Sequence, residues 1–192
     1  ADGYFVLPYT IGDYLSNEIG TGPIPNDTEE FMDAELRVKE KIQKFINNKG
    51  KHSVDYFHKK LGKIMWNKCG MARNKKGLNE AIEEISMLRK KFWKEVKVPG
   101  SDMELNEELA KAGRVADFLE LGELFAKDSL MREESCGGHF REEFQTEDGE
   151  AMRQKEFQHV SAWEYVGEPK DAKLHKEELN YNDIEVKERS YK

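Results

Sequence analysis

Residues 105–144 constrain this chain more than any other stretch. Apolar side chains recur at Leu105, Leu109, Ala112, Val115, Ala116 and Leu119, then at Leu124, Phe125 and Leu130. At 3.6 residues per turn, that spacing writes one apolar stripe along a long helix. The pattern stops at Glu133-Glu134-Ser135-Cys136-Gly137-Gly138-His139, where paired glycines predict a turn. A stripe of this length has to be buried, so it predicts partner helices elsewhere in the chain.

Three upstream segments supply them. Asp27 or Thr28 is placed to cap the first, and Glu29 and Glu30 suit its positive end. Its apolar side carries Phe31, Leu36, Val38, Ile42, Phe45 and Ile46, and Asn47-Asn48-Lys49-Gly50 ends it. Ser53 begins the second, which carries Val54, Phe57, Leu61, Ile64 and Met65 and stops at Cys69-Gly70. The third follows Asn74, runs through Leu78, Ile82, Ile85, Leu88, Phe92 and Val96, and is closed by Pro99-Gly100. Ser101 or Asp102 is then expected to cap the long fourth helix. Short connections between such helices favour antiparallel neighbours. The fold class expected is mainly α: an antiparallel three- to four-helix bundle with an irregular C-terminal tail containing short β-strands.

The flanks read differently. Tyr4, Phe5, Val6, Leu7, Ile11, Tyr14 and Leu15 predict a short buried helix with Pro8 near a bend, and Gly20-Thr21-Gly22-Pro23-Ile24-Pro25 predicts a loop. So apolar a start, with no initiating Met, leads us to expect polypeptide upstream of Ala1. After the Gly-Gly turn, residues 159–166 have the β-branched and aromatic content of a strand. Gly167-Glu168-Pro169 predicts a turn, and Lys173-Leu174-His175 and Asp183-Ile184-Glu185-Val186 predict short strands. This tail is too polar to build a core, so it should lie on the bundle or on a neighbour. The expected organisation is 1–26 linker, 27–132 bundle, and 133–192 turn and tail.

Net charge narrows the partners. With 31 Lys and Arg against 38 Asp and Glu, the net charge of −7 argues against nucleic-acid binding, which needs a basic face. Local clusters at Lys59-Lys60-Leu61-Gly62-Lys63 and Arg73-Asn74-Lys75-Lys76 suit a solvated surface or an acidic partner. No apolar run approaches the roughly 18 residues of a membrane span, so no direct membrane insertion is expected. Two cysteines, Cys69 and Cys136, make no disulfide framework, which points to a reducing compartment.

Cys136-Gly137-Gly138-His139 has the spacing of half a zinc site, but no second Cys/His pair completes it. As a nucleophile–base pair it lacks a recognisable orienting group and oxyanion pocket. The better reading is docking: His139 and Arg141, two apart in an extended segment, share a side from which to meet carboxylates of another domain. Ser135, Gly138, His139 and Arg141 are therefore the candidate domain-contact motif, with no catalytic, cofactor-binding or metal residue assigned. Trp66, Trp93 and Trp163 read as core or interface anchors.

Those residues carry a resemblance. ESCGGHFREEF, residues 134–144, resembles the E-S-R-G-x-H-x-R motif of succinate dehydrogenase and fumarate reductase flavoprotein subunits, with Cys136 in place of the motif's Arg. The preceding GRVADFLELGELFAKDSLMRE resembles that family's helix before the motif, and RNKKGLNEAIEEISMLRKKFW its M-x-R-x-x-x-G-L helix. Leu179-Asn180-Tyr181 resembles its L-x-Y segment and Arg189-Ser190-Tyr191 its terminal R-x-Y. An R-D-D-x-x-W-like segment appears as Arg153-Gln154-Lys155-Glu156-Phe157, keeping the aromatic and losing both acids. The first residues resemble the end of the family's flavin-binding domain.

The resemblance implies an enzyme that moves a hydride between FAD and a succinate/fumarate pair and passes electrons to an iron–sulfur subunit. It also implies that the flavin-linked His, the proton-donating Arg and the dicarboxylate site lie in flavin-binding and capping domains before residue 1. FAD is then expected in the full-length parent and not in this fragment, which would be inactive alone. Its partners would be its own flavin-binding domain and the iron–sulfur subunit, and its location cytoplasmic, peripheral to the inner membrane through the complex. An L-aspartate oxidase-like flavoprotein shares the architecture, although the R-x-Y ending favours the respiratory enzyme. A freestanding helical interaction module is the alternative of a different class.

Overall fold

A computed structural model describes residues 1–184, which divide into two compact units between Lys41 and Ile42. In the first unit, α1 (Asp2–Tyr9) passes into a π-helical turn (Thr10–Tyr14) and a 3₁₀ turn (Ser16–Glu18). Pro8 lies inside α1, and the wider turn begins two residues later, where the ladder has already lost one N–H. The helix expected here forms, but its burial does not: Tyr4, Phe5, Val6 and Leu7 are all exposed. Four successive apolar residues point to every side of a helix, so they make no stripe that one neighbour can cover.

The helix α2 (Glu29–Asn47) starts beside Thr28 as expected, yet Phe31, Leu36 and Val38 are exposed, and burial begins only in its last two turns. There Phe45 stacks on Trp93, with centroids 5.0 Å apart, and meets the edge of Phe92 at 6.0 Å.

The core of the second unit is three helices, α3 (Val54–Lys68), α4 (Lys75–Glu95) and α5 (Glu107–Met131), packed on one another. Two of their caps follow the sequence reading: Ser53 accepts from Tyr56 N–H, and Asn74 accepts from Gly77 N–H. The third does not. Asn106, rather than Ser101 or Asp102, caps α5 by accepting from Leu109 N–H at 3.0 Å, while its amide donates to the Pro99 and Ser101 carbonyls. An Asn that satisfies both sides of the junction outcompetes a Ser or Asp that reaches one, and Leu105 is left outside the stripe and exposed.

Phe57, Leu61, Leu78, Ile85, Phe92, Val115 and Leu119 form the core, with Ala81, Ala112, Ala116 and Ala126 letting α4 and α5 approach closely. The helix α4 ends at Glu95, short of Pro99-Gly100. The chain there becomes β2 (Val96–Lys97), paired in parallel with β1 (His52–Ser53). Gly50 makes this closure possible, since a Cβ there would lie 2.1 Å from the Glu95 carbonyl oxygen.

The tail lies on the bundle. Its hairpin pairs β3 (His159–Glu164) with β4 (Lys173–Glu178) in antiparallel register, Glu164 opposite Lys173. Trp163 Nε1 donates to Asp128, and Lys127 Nζ caps the 3₁₀ turn at Pro169–Asp171 by donating to the carbonyls of Pro169, Lys170 and Ala172. Arg89, buried between α4 and α5, bonds both Glu123 (3.3 Å) and Glu168 (2.7 Å), tying the tail to two helices at once. The strand expected at 183–186 and the Arg189-Ser190-Tyr191 ending fall wholly or partly outside the described residues; Asp183 and Ile184 are not in a strand.

Candidate functional site

Three helix ends converge where α3 stops, α4 starts and α5 stops, and the segment after α5 folds into that junction. The turn forms first. Cys136 N–H donates to the His139 carbonyl and His139 N–H to that of Cys136, closing a two-residue hairpin over Gly137-Gly138. Gly137 has φ +59° and Gly138 no positive φ, which is the II′ pattern, with glycine required at the first central position.

Behind the turn, polar side chains satisfy the helix ends. Arg141 is fully buried, and its Nη1 donates to the Ser129 and Leu130 carbonyls at 2.9 and 3.1 Å, at the last turn of α5. Its Nε donates to Glu143 at 3.1 Å. Ser135 Oγ accepts from Arg141 N–H and donates to its carbonyl, so both main-chain groups of Arg141 are served by one hydroxyl. Arg73 caps α3 in the same way, through the Cys69 and Gly70 carbonyls. Its main chain pairs with Phe140 and Glu142, bridging residue 73 to residue 141. At the start of α4 the signs reverse: Glu143 accepts from Lys75 N–H, and Glu142 from the Asn74 amide. Cations thus sit at helix C-termini and carboxylates at a helix N-terminus, each against the helix dipole end it complements.

His139 joins the two halves. Its Nδ1 lies 2.8 Å from Arg73 Nη1 and its Nε2 2.9 Å from the Arg132 carbonyl. Arginine only donates, so Nδ1 accepts and the proton is on Nε2: the ring is neutral and its tautomer is fixed. Both nitrogens are engaged within the chain, so the ring does not pair with Cys136. Glu134, fully buried, accepts from Arg132 at 2.9 Å and from Gln154 N–H at 3.0 Å, and Arg132 also donates to the Phe157 carbonyl. Within the chain Arg141 therefore serves the end of α5 and His139 links Arg73 to Arg132, and among the described residues Glu143 is the carboxylate that Arg141 contacts.

Among the ionisations displaced here are those of His139 and Glu143. Burial is the largest influence on His139 and lowers its pKa; the Arg132 carbonyl acts the other way, and the Arg73, Arg141 and Arg132 charges lower it further. Burial pushes Glu143 up, but hydrogen bonds from Lys75 N–H, its own N–H and Arg141 outweigh it, so its pKa falls below the usual value. With the folded pKa of His139 below its ordinary 6.5, the unfolded chain takes up that proton first as pH falls. The stability contributed by the neutral ring is thus whole above 6.5 and declines until pH drops below the folded value. Urea midpoints from about pH 8 to about pH 5 should fall more steeply in the native chain than in His139→Gln. Parallel curves would show that the ring is not held neutral.

Of the motif residues, the structure brings Ser135, His139 and Arg141 together and leaves Gly138 at the exposed tip. Sequence reasoning did not assign Arg73, Arg132, Glu134 and Glu143 to it. Arg73 had a signal, since it is the Arg of the M-x-R-x-x-x-G-L resemblance. The junction is where that segment meets the E-S-x-G-x-H-x-R one. No signal marked the buried Arg89–Glu123 pair.

Fold and junction together define a helical domain whose converging helix ends are tied by its own C-terminal segment. Residues 58–191 match the family model described as "Fumarate reductase flavoprotein C-term", and the chain belongs to that family, the C-terminal domain of succinate dehydrogenase and fumarate reductase flavoprotein subunits. It is 28% identical over 141 residues to the fumarate reductase flavoprotein subunit of Helicobacter pylori, covering 73% of this chain and 20% of that one. An uncharacterised FAD-dependent oxidoreductase of Methanocaldococcus jannaschii is 33% identical over 121 residues, covering 63% and 21%. The chain thus spans about a fifth of the length of these curated relatives. A quinol fumarate reductase chain of E. coli superposes with a TM-score of 0.74 at 17% identity, over 92% of this chain and 29% of that one. The Mycobacterium smegmatis Sdh1 complex gives 0.64 at 21% identity, over 84% and 26%. Adenylylsulfate reductase of Archaeoglobus fulgidus gives 0.58 at 17%, over 92% and 28%, so the fold recurs beyond the name fumarate reductase.

The parallel pair β1–β2 does not have the form of an FAD pyrophosphate site. Such a site calls for a glycine loop between a parallel strand and a helix N-terminus. The parallel pairing here is two residues long, and the step from β1 into α3 is Ser53, whose hydroxyl already accepts from Tyr56 N–H.

Proposed function

We propose that this chain is the buttress of an FAD-dependent oxidoreductase that interconverts succinate and fumarate and delivers electrons to an iron–sulfur subunit. In this reading the flavin and dicarboxylate are held by other parts of a longer polypeptide, and the chain alone binds no FAD and has no activity. Residues 1–26 are then the remnant of the flavin-binding domain with its linker, 27–132 the bundle, and 133–192 the turn and tail. Among the described residues no helix is long and apolar enough to cross a membrane. Attachment to the inner membrane from the cytoplasmic side would come through the parent complex.

The Ser135, Gly138, His139 and Arg141 motif makes the domain contact through its Gly138 tip, which the other three side chains back, and one observation carries this. Ser135 and Arg141 are locked inward, whereas Gly137 and Gly138 stand exposed with nothing within 4 Å of where their Cβ atoms would be. A rigidly backed, side-chain-free tip suits close approach by another surface.

Gly138→Thr separates this from a purely internal role. Gly138 has no positive φ and free space around it, so the variant's thermal midpoint in the isolated chain should stay within about 2 °C. In the full-length protein the added side chain should weaken flavin retention on dilution and assembly with the iron–sulfur subunit. Unchanged retention and assembly there would remove the contact role. A yellow preparation of the isolated chain, with a flavin absorption band, would contradict the placement of FAD elsewhere.

A further inference from the structure

The outer groove between α3 and α4 lies away from the junction and has a different chemistry. It has a volume of about 400 Å³, a floor of Ile64, Met87 and Leu88, and walls that carry Lys60, Lys63 and Lys91. Lys68 and Glu84, 2.8 Å apart, close one end and neutralise each other. Lys68 also pairs with Glu80, 2.6 Å away, so the positive charge left to the groove is on Lys60, Lys63 and Lys91, in a chain whose net charge is −7. Lys60 and Lys63 have no carboxylate within ion-pair distance among the described residues, and Lys91 reaches Glu95 only at 3.9 Å. Met87, in the lining, is 61% exposed.

We infer that this groove is a docking surface for an acidic amphipathic helix of a partner protein. The apolar floor takes one face of that helix, and the lysines on the walls take carboxylates on its flanks. From Lys60 to Asn67 the α3 wall rises about 10 Å, so two turns of helix fill it. Exposed Lys–carboxylate contacts add little affinity singly but select the sign of the partner. An exposed Met such as Met87 is an adaptable side chain for such contacts. The choice of occupant rests on complementarity: a neutral helix would leave Lys60 and Lys63 without counter-charge, and a basic one would be repelled by them.

The test uses the 192-residue chain and a fluorescein-labelled helical peptide with Leu at i, i+3, i+4 and i+7 and Glu elsewhere. Anisotropy should report binding that weakens as salt rises and that is lost when Glu is replaced by Lys. Lys60→Glu with Lys63→Glu should weaken binding about tenfold or more while leaving the thermal midpoint within a few degrees. The Met87 methyl resonance should shift on titration, which places the peptide on the floor. Three outcomes overturn the proposal: no binding by the folded chain, equal binding of the Glu peptide and a Gln version, or no effect of charge reversal. A fourth is self-association in sedimentation velocity that charge reversal abolishes, which would make the occupant a second copy.

Discussion

Phe92→Ala should destabilise the chain by about 3–5 kcal/mol, the loss expected where a fully buried aromatic ring is removed. Phe92 is fully buried and meets three rings at once: Phe57 edge-on at 5.2 Å, Trp93 at 5.4 Å and Phe45 at 6.0 Å. Those rings come from α3, α4 and the last turn of α2, so truncation opens a cavity where three elements meet, and none can close it without leaving the others. The transfer and cavity contributions therefore add. For a chain of this size that is a fall of about 6–20 °C in thermal midpoint. Phe31→Ala, on the exposed part of α2, should stay within about 0.5 kcal/mol. Chemical denaturation of both variants is the measurement, and equal losses would mean that apolar periodicity, not burial, sets what a helix phenylalanine contributes.

That contrast also shows how far the amino-acid sequence could be read. The spacing in residues 53–68, 75–95 and 107–131 marks three helices because each stripe faces the other two, and the Ser53 and Asn74 caps follow from local chemistry alone. Local chemistry misplaced the start of α5, since Ser101 and Asp102 are good caps in isolation and only the fold shows that Asn106 serves both sides. In α2 the period says which face is apolar but not how much of it this chain covers. The junction was hardest to see. Arg73 and His139 are 66 residues apart, and the pairing of their nitrogens appears in no window of sequence. In the tail Val160 and Trp163 mark β3, whereas the strand expected at 183–186 is absent at Asp183 and Ile184 and otherwise lies outside the described residues. Its attachment through Lys127, Asp128 and Arg89 rests on side chains that look like ordinary solvated charges in the helices that carry them.

Arg141→Met tests the junction most directly, and we expect a loss of about 3 kcal/mol, read from urea unfolding. The ion pair is not the main reason. Glu143's side chain is 37% exposed, so its Coulombic contribution is screened, and Glu143→Gln should cost no more than about 1 kcal/mol. The larger part is what Arg141 leaves behind: the Ser129 and Leu130 carbonyls at the buried end of α5, which methionine fills around but cannot satisfy. Arg141→Lys should recover only part of the loss, because one ammonium lacks the planar fork that reaches two carbonyls and a carboxylate together. In the Arg141→Met and Glu143→Gln cycle, a coupling energy below about 1 kcal/mol identifies helix capping as the role of this arginine. A coupling as large as the Arg141→Met loss itself would mean that residues 132–144 are held by charge pairing. The junction would then loosen with salt, which an arginine seated on buried carbonyls does not do.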